Sequence, residues 1–326
     1  MRLARRTLLG SGLAAPLLAA PLLGASLLGS GARAAETVTI RVGVMKLVHS
    51  MAPYFYARFL PAGYRLEIIP FSTPTDVKDA VVTRSVDYGT FGIAAAILGA
   101  VAHQPVVVYG SECNKGMAVV ARKGAHIDSI RDLKGKKVGI LPGTTQQVFF
   151  LERLHMLGMS ERDIRPVRVG FADMPAALAR GDIDAYVGAE PGPSLSLVNG
   201  TGKIVEYPYS TPMGSLNMIL ATHRETLAKR PKEVLMMLDL QRQGSAYAMS
   251  HPDELVAMTV AKLGLNKDAV ARAVPNVQLD WQMTPKMIAE VRSYADHMLA
   301  LKQIRSLPDF NTLLDPGPSQ ELAKRA

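Results

Sequence analysis

Cysteine is almost missing: Cys113 stands alone in a chain of 326 residues. An intrachain disulfide is therefore impossible, and a cysteine-built zinc or iron–sulfur site is excluded. The thiol itself reads as a small residue of a loop or core. Aromatic residues make up 6% of the chain, with a single Trp. No basic run is interleaved with aromatics, so no nucleic-acid partner is expected. The sequence has no G-x-S-x-G, no H-E-x-x-H, no P-loop and no G-x-G-x-x-G, which removes the common nucleophile, zinc and phosphate signatures. It also has no internal repeat and, beyond the first 34 residues, no low-complexity tract and no further apolar run of membrane-spanning length. No cofactor is expected.

What is present fits a globular protein: 48% hydrophobic and 20% charged residues, in a length that can hold two cores. Residues 1–34 read as an export leader, a signal peptide with a twin-arginine-like start. Arg5-Arg6 gives a basic start, Leu8 to Ser30 is apolar but broken by Gly, Pro and Ser, and Ala32-Arg33-Ala34 is a small-x-small cleavage site. Cleavage near Ala34/Ala35 would leave a soluble, exported chain. Ala4 and Leu8 depart from the usual twin-arginine pattern, which leaves the general route open. The formal charge of +9 includes four leader arginines; without them 33 basic residues face 28 acidic ones, a net +5.

From Thr39 strand and helix signals alternate. Ile40, Val42 and Val44 alternate as a strand, and Arg65 to Phe71, Asp87 to Gly92 and Pro105 to Tyr109 follow. Helices are expected from Pro53 to Leu60, after Ser72-Thr73-Pro74, and from Ala94 to Ala102. Further on, strands are expected at Lys136 to Leu141, Val167 to Val169 and Ile183 to Val187, and helices at Thr145 to Leu157 and up to Arg180. Lys115 to Arg122 and Leu216 to Thr222 read as extended crossing segments. The remainder is mainly helical, and Asp315 to Ala326 is expected to fray. The alternation implies an α/β fold with mostly parallel sheets flanked by helices; by itself it allows one doubly wound domain.

The stretch Asp132-Leu133-Lys134-Gly135-Lys136-Lys137-Val138-Gly139-Ile140-Leu141-Pro142-Gly143-Thr144-Thr145 combines a turn, a short strand and a loop that opens a helix. Gly143 frees the backbone, and a threonine hydroxyl can cap the first turn. Backbone N–H groups then point outward, a place for an anionic or polar ligand.

This stretch, with Ala176-Ala177-Leu178-Ala179-Arg180-Gly181-Asp182-Ile183-Asp184-Ala185 and Glu190-Pro191, resembles the ABC-transporter solute-binding proteins for nitrate, sulfonates, taurine and thiamine precursors. The resemblance runs from about Thr39 to the Arg242 region. It implies the type 2 periplasmic-binding-protein fold: lobe 1 from 35–118 plus 218–326, lobe 2 from 119–217, and a cleft between them. It implies a monomeric periplasmic protein that captures a small organic anion or related nitrogen compound and hands it to an ABC permease in the inner membrane. Placed by the family's pattern, the cleft-lining loops are His49, Ser72 and Thr73, then Gly92 and Ile93. Asn114 and Asn217 lie by the crossing segments, and Gly143, Thr144, Thr145 and Glu190 complete the set. Each has a structural reading beside the ligand reading: helix caps for Thr73 and Thr144, a hinge bond for the two asparagines, a surface position for His49.

Two alternatives stay open. One is an enzyme on the same fold, similar to the menaquinone-pathway dehydratase; a nucleophile–base set of Glu112, Cys113 and His103 has no support in their spacing, and the cysteine-rich motif of thiamine-precursor synthesis is missing. The other is a ligand sensor subunit. Export is the cheapest discriminator. Changing Arg5 and Arg6 together to Lys is expected to block twin-arginine transport, read as loss of secreted protein; efficient secretion of the double variant would assign the general route.

Overall fold

Ile40, Val42 and Val44 are buried on one face of strand β1 (Val38–Met45) in the computed structural model, which describes residues 37–325. The expected leader, with Arg5-Arg6 and the cleavage point, lies outside the described residues. Ten further strands follow: β2 (Tyr64–Phe71), β3 (Tyr88–Gly92), β4 (Val106–Lys115), β5 (Met117–Arg122), β6 (Lys137–Ile140), β7 (Arg165–Arg168), β8 (Ala185–Ala189), β9 (Gly202–Glu206), β10 (Leu216–His223) and β11 (Val277–Leu279). They form two sheets. The larger has the order β11-β4-β10-β3-β1-β2 and the smaller β7-β6-β8-β5-β9.

Both sheets are mixed rather than mostly parallel. β1 pairs parallel with β2 and β3, whereas β10 is antiparallel to β3 and β4, and β11 to β4. In the smaller sheet β6 pairs parallel with β7 and β8, and β5 antiparallel with β8 and β9. The reason lies in the connections. Parallel neighbours need a crossover of a dozen or more residues, usually a helix. β5 follows β4 after Gly116 alone, so it enters the second sheet without a crossover and runs against its neighbours.

Helices flank both sheets, and several begin as their sequence suggests. Thr73 caps Pro74–Val82 by accepting from the Asp76 amide at 3.1 Å. Thr144 caps Thr145–Met156 by accepting from Gln147 N at 3.3 Å. Gly181, at φ 78°, ends Met174–Arg180. One apolar core joins the larger sheet to one face of the smaller, from Val42 and Phe91 to Leu178 and Tyr186. A second, with Val119, Val138, Phe150 and Leu154, fills the other face of the smaller sheet. No helix among the described residues is long and apolar enough to cross a membrane.

The expected frayed tail is instead docked. Gly317–Ala323 is helical, and its Ser319 hydroxyl accepts from the Met283 amide at 2.9 Å. Asp315 N donates to Val108 O at 2.9 Å, and Leu322 is 5% exposed. The Pro and Gly that suggested disorder are helix-start chemistry here. Leu322→Ala should therefore lower unfolding free energy by about 2 kcal/mol in urea titration; a loss under about 0.5 kcal/mol is the value for a frayed tail.

Candidate functional site

The two sheets meet where the chain crosses twice. At the first crossing Lys115 and Gly116 both have left-handed backbone, φ 63° and 76°. A Cβ on Gly116 would stand 2.1 Å from His49 Nε2, so only glycine fits. That imidazole is fully buried. Its Nε2 lies 3.0 Å from Asn217 Nδ2 and 3.2 Å from Lys115 O, while its Nδ1 has no partner. Asn217, at the start of β10 and thus at the second crossing, reaches across the junction. Its Nδ2 donates to Lys115 O at 2.6 Å, and its Oδ1 accepts from Gln146 Nε2 at 3.2 Å. Its backbone oxygen accepts from the Thr145 hydroxyl, also at 3.2 Å. Gly92 completes the contact, since a Cβ there would approach Thr145 Oγ1 to 2.7 Å.

His49, Gly92, Thr145 and Asn217, four of the residues expected to line a cleft, thus touch one another directly. Ile93, buried behind Gly92, starts the helix Ile93–Val101. The Thr144 hydroxyl is engaged twice by protein, since it also donates to Leu141 O at 2.7 Å. The Gly143 amide is bonded to Gln147 Oε1 at 2.8 Å. Glu190 is 2% exposed; its Oε1 accepts from Asn276 Nδ2 at 2.7 Å and its Oε2 from Ser194 N at 3.1 Å. Asn114 is drawn away from this group by Asp280, whose Oδ2 accepts its amide at 3.2 Å.

Ser72 and its neighbour Thr73 lie apart from that junction. Ser72 lines a cavity of about 120 Å³ between strand ends of the two sheets. Met45, Lys46 and Leu47 enter it from the end of β1, and Phe171, Pro175 and Leu195 from the smaller sheet's side. Its walls are chiefly apolar; Lys46 is the one charged residue among those that line it. Of these apolar residues the sequence pointed to the loop beginning at Leu47 but not to Phe171, Pro175 or Leu195, because hydroxyls and amides were the expected contacts. Their signal was position, at the end of β1 and in the segments that follow β7 and β8.

Burial sets the local titration. It drives the His49 imidazole down to about 4, partly opposed by its backbone bonds at Lys115 and Gly116. It raises the Glu190 carboxyl, although Asn276 and Ser194 pull the other way. Glu112 is wholly buried with both carboxyl oxygens unpartnered, and its pKa is pushed far up. The Cys113 thiol is raised as well, chiefly by burial, so it is held as the thiol rather than the nucleophilic thiolate.

The profile of the family described as NMT1/THI5 like matches residues 53–255. The chain belongs to this family. A protein of Escherichia coli (strain K12) named for binding aliphatic sulfonates is 23% identical over 209 residues, covering 64% of this chain. The chain spans about 65% of that relative's length. The alkanesulfonate-binding protein SsuA from Xanthomonas axonopodis pv. citri, solved with MOPS bound, superposes with a TM-score of 0.75 at 19% identity, over 86% of this chain and 100% of that one. The periplasmic nitrate-binding protein NrtA from Synechocystis PCC 6803 gives 0.76 at 13% identity, over 89% of each chain. These likenesses establish the periplasmic-binding-protein fold expected from the sequence.

His49 makes folding depend on acidity. Its folded pKa of about 4 lies below the ordinary 6.5, so the unfolded chain binds more protons between these values. The stabilisation is complete above about pH 6.5 and is lost as pH falls towards 4, by about 3 kcal/mol. In urea titrations from pH 7.5 to 4, the difference between wild type and His49→Gln should shrink by that amount. A pH-independent difference would mean that the imidazole is not buried neutral.

Proposed function

We propose that this chain is the substrate-binding component of an ABC importer, and that it captures a small organic anion between its two lobes. The apolar cavity between strand ends, with Lys46 and Ser72 on its lining, is the observation that carries this reading. The lobes are taken as 35–118 plus 218–326, and 119–217. The strand content of the sheets supports that division, since the larger sheet draws on β1 to β4, β10 and β11, and the smaller on β5 to β9. The MOPS-bound relative supports the ligand class, because MOPS pairs a sulfonate with an organic body. Handing over to an inner-membrane permease, a periplasmic location and a monomeric state belong to the same proposal. So does a non-catalytic role, which the protonated, buried Cys113 favours.

The mechanism is hinge closure. Thr145 and Gln146, beside the smaller sheet, bond Asn217 at the crossing, where β10 enters the larger sheet. Ligand in the cavity adds contacts that exist only when the lobes meet, and it shifts the open–closed balance by their free energy. An anionic head meets the Lys46 ammonium and the Ser72 hydroxyl, while the organic body packs on Phe171, Met45 and Leu47. Nitrate has no body to fill those walls, so it should bind more weakly than an alkyl sulfonate or carboxylate.

Calorimetric titration with sulfonates, carboxylates, nitrate and pyrimidines tests this. An alkyl anion should bind saturably, and Lys46→Met should weaken it about tenfold, close to 1.4 kcal/mol. Binding of none of the panel, or affinity unmoved by Lys46→Met, would count against the assignment.

A further inference from the structure

A second cavity, of about 200 Å³, lies beside the crossing and shares no lining residue with the first. Its walls are almost wholly polar. Ser111 and Asn114 come from the end of β4, Gln278 and Asp280 from β11 and the residue after it, and Thr284 and Glu290 from the cap and body of the helix Pro285–Ala300. Ser215 of the second crossing closes one side, and Lys286 is the remaining charged residue of the lining.

Three observations mark it as built to receive something. The Ser111 residue is 1% exposed, yet its hydroxyl has no partner. A buried hydroxyl left without a bond costs about as much as a lost hydrogen bond, so such groups are rare unless a ligand or water meets them. The Glu290 carboxyl is 11% exposed and presses on the crossing, where a Cβ on Gly214 would stand 1.9 Å from its Oε1. Its nearest cation, Lys286, is 82% exposed and 3.9 Å away, too loose a contact to neutralise it. The Asp280 carboxylate is held by Asn114 and by the amides of Trp281 and Gln282, and no cation pairs with it among the described residues.

Two carboxylates against one solvated ammonium give the lining a net negative charge. The hydroxyls of Ser111 and Thr284 and the amides of Asn114 and Gln278 supply bonds for a polar, uncharged end. A cavity of this volume holds about six or seven waters, at about 30 Å³ each. No group of three or more His, Cys, Asp or Glu suited to a metal ion occurs among the described residues. We propose that this chamber is a second binding site, for a small aliphatic ammonium that carries a hydroxyl. The ammonium sits between Asp280 and Glu290, and the hydroxyl meets Ser111. This site is independent of the anion reading of the cleft and needs none of its residues.

Ethanolamine hydrochloride serves as the probe, titrated into the full chain by calorimetry at fixed ionic strength, with ethylene glycol and sodium glycolate as comparators. Saturable binding of ethanolamine is expected, with glycolate and ethylene glycol at least tenfold weaker. Glu290→Gln and Ser111→Ala should each lower ethanolamine affinity at least fivefold. Thr201→Ala, in a loop of the smaller sheet where its hydroxyl bonds Ser196 O, should leave it unchanged. Circular dichroism confirms that each variant is folded, and the two site variants stand in for one another if one fails to fold. No binding of ethanolamine, equal binding of glycolate or glycol, or affinity unaffected by the folded site variants would each overturn the proposal.

Discussion

Asn217 is the residue on which the junction between the sheets depends. Its amide nitrogen, amide oxygen and backbone oxygen are all bonded, to Lys115 O, Gln146 Nε2 and the Thr145 hydroxyl. The bonds to Gln146 and Thr145 are buried and that to Lys115 partly so, and a buried polar group left unpaired costs about 1–3 kcal/mol. Under the proposed hinge closure, water takes each of these places as the lobes part, and exchanging protein partners for water is close to neutral. A polar junction of this kind fixes the geometry of the closed form without committing the molecule to it. On that proposal the deciding free energy comes from whatever occupies the cavity between the strand ends.

The two cavities divide the chemistry. The cleft cavity is apolar with one lysine; the chamber by the crossing is polar with two carboxylates. On the two proposed readings an organic anion is repelled by the second and accommodated by the first, so charge separates what each holds. His49 stands at the junction as a neutral imidazole because burial suppresses its charge. A positive charge there would have no acidic partner among its hydrogen-bonded neighbours, which are a backbone carbonyl and an amide.

Much of the fold was legible in the sequence. The period-two pattern at Ile40, Val42 and Val44 yields β1, and Thr144 does cap the helix that its Gly-Thr-Thr loop announces. The resemblance carried the rest of the architecture. What escaped has physical reasons. β11 is only three residues, too brief for a period to register. Strand direction is invisible where one glycine separates β4 from β5, so the mixed sheets were read as mostly parallel. The tail looked loose because Pro316, Gly317 and Pro318 mark both disorder and helix starts. In the site, the sequence could place hydroxyls at strand ends but could not say whether they face a ligand or a neighbouring backbone. Thr145 and Asn217 face each other. The apolar walls of the cavity were missed because Phe171 and Leu195 look like ordinary core residues until the sheets are set side by side.

The order of strands along the chain has a consequence for synthesis. The smaller sheet uses one unbroken stretch, from Met117 to Glu206. The larger sheet needs β1 at Val38 and β11 at Leu279, and it is buttressed by a bridge from Val108 to Leu314. On the ribosome the smaller half can therefore close while the larger still lacks two of its six strands. The edges of β4 stay open until β10 and then β11 emerge. During that interval the nascent chain presents its longest strand, with the apolar run Val106-Val107-Val108-Tyr109, to solvent, which makes β10 and β11 the step that ends its exposure to aggregation.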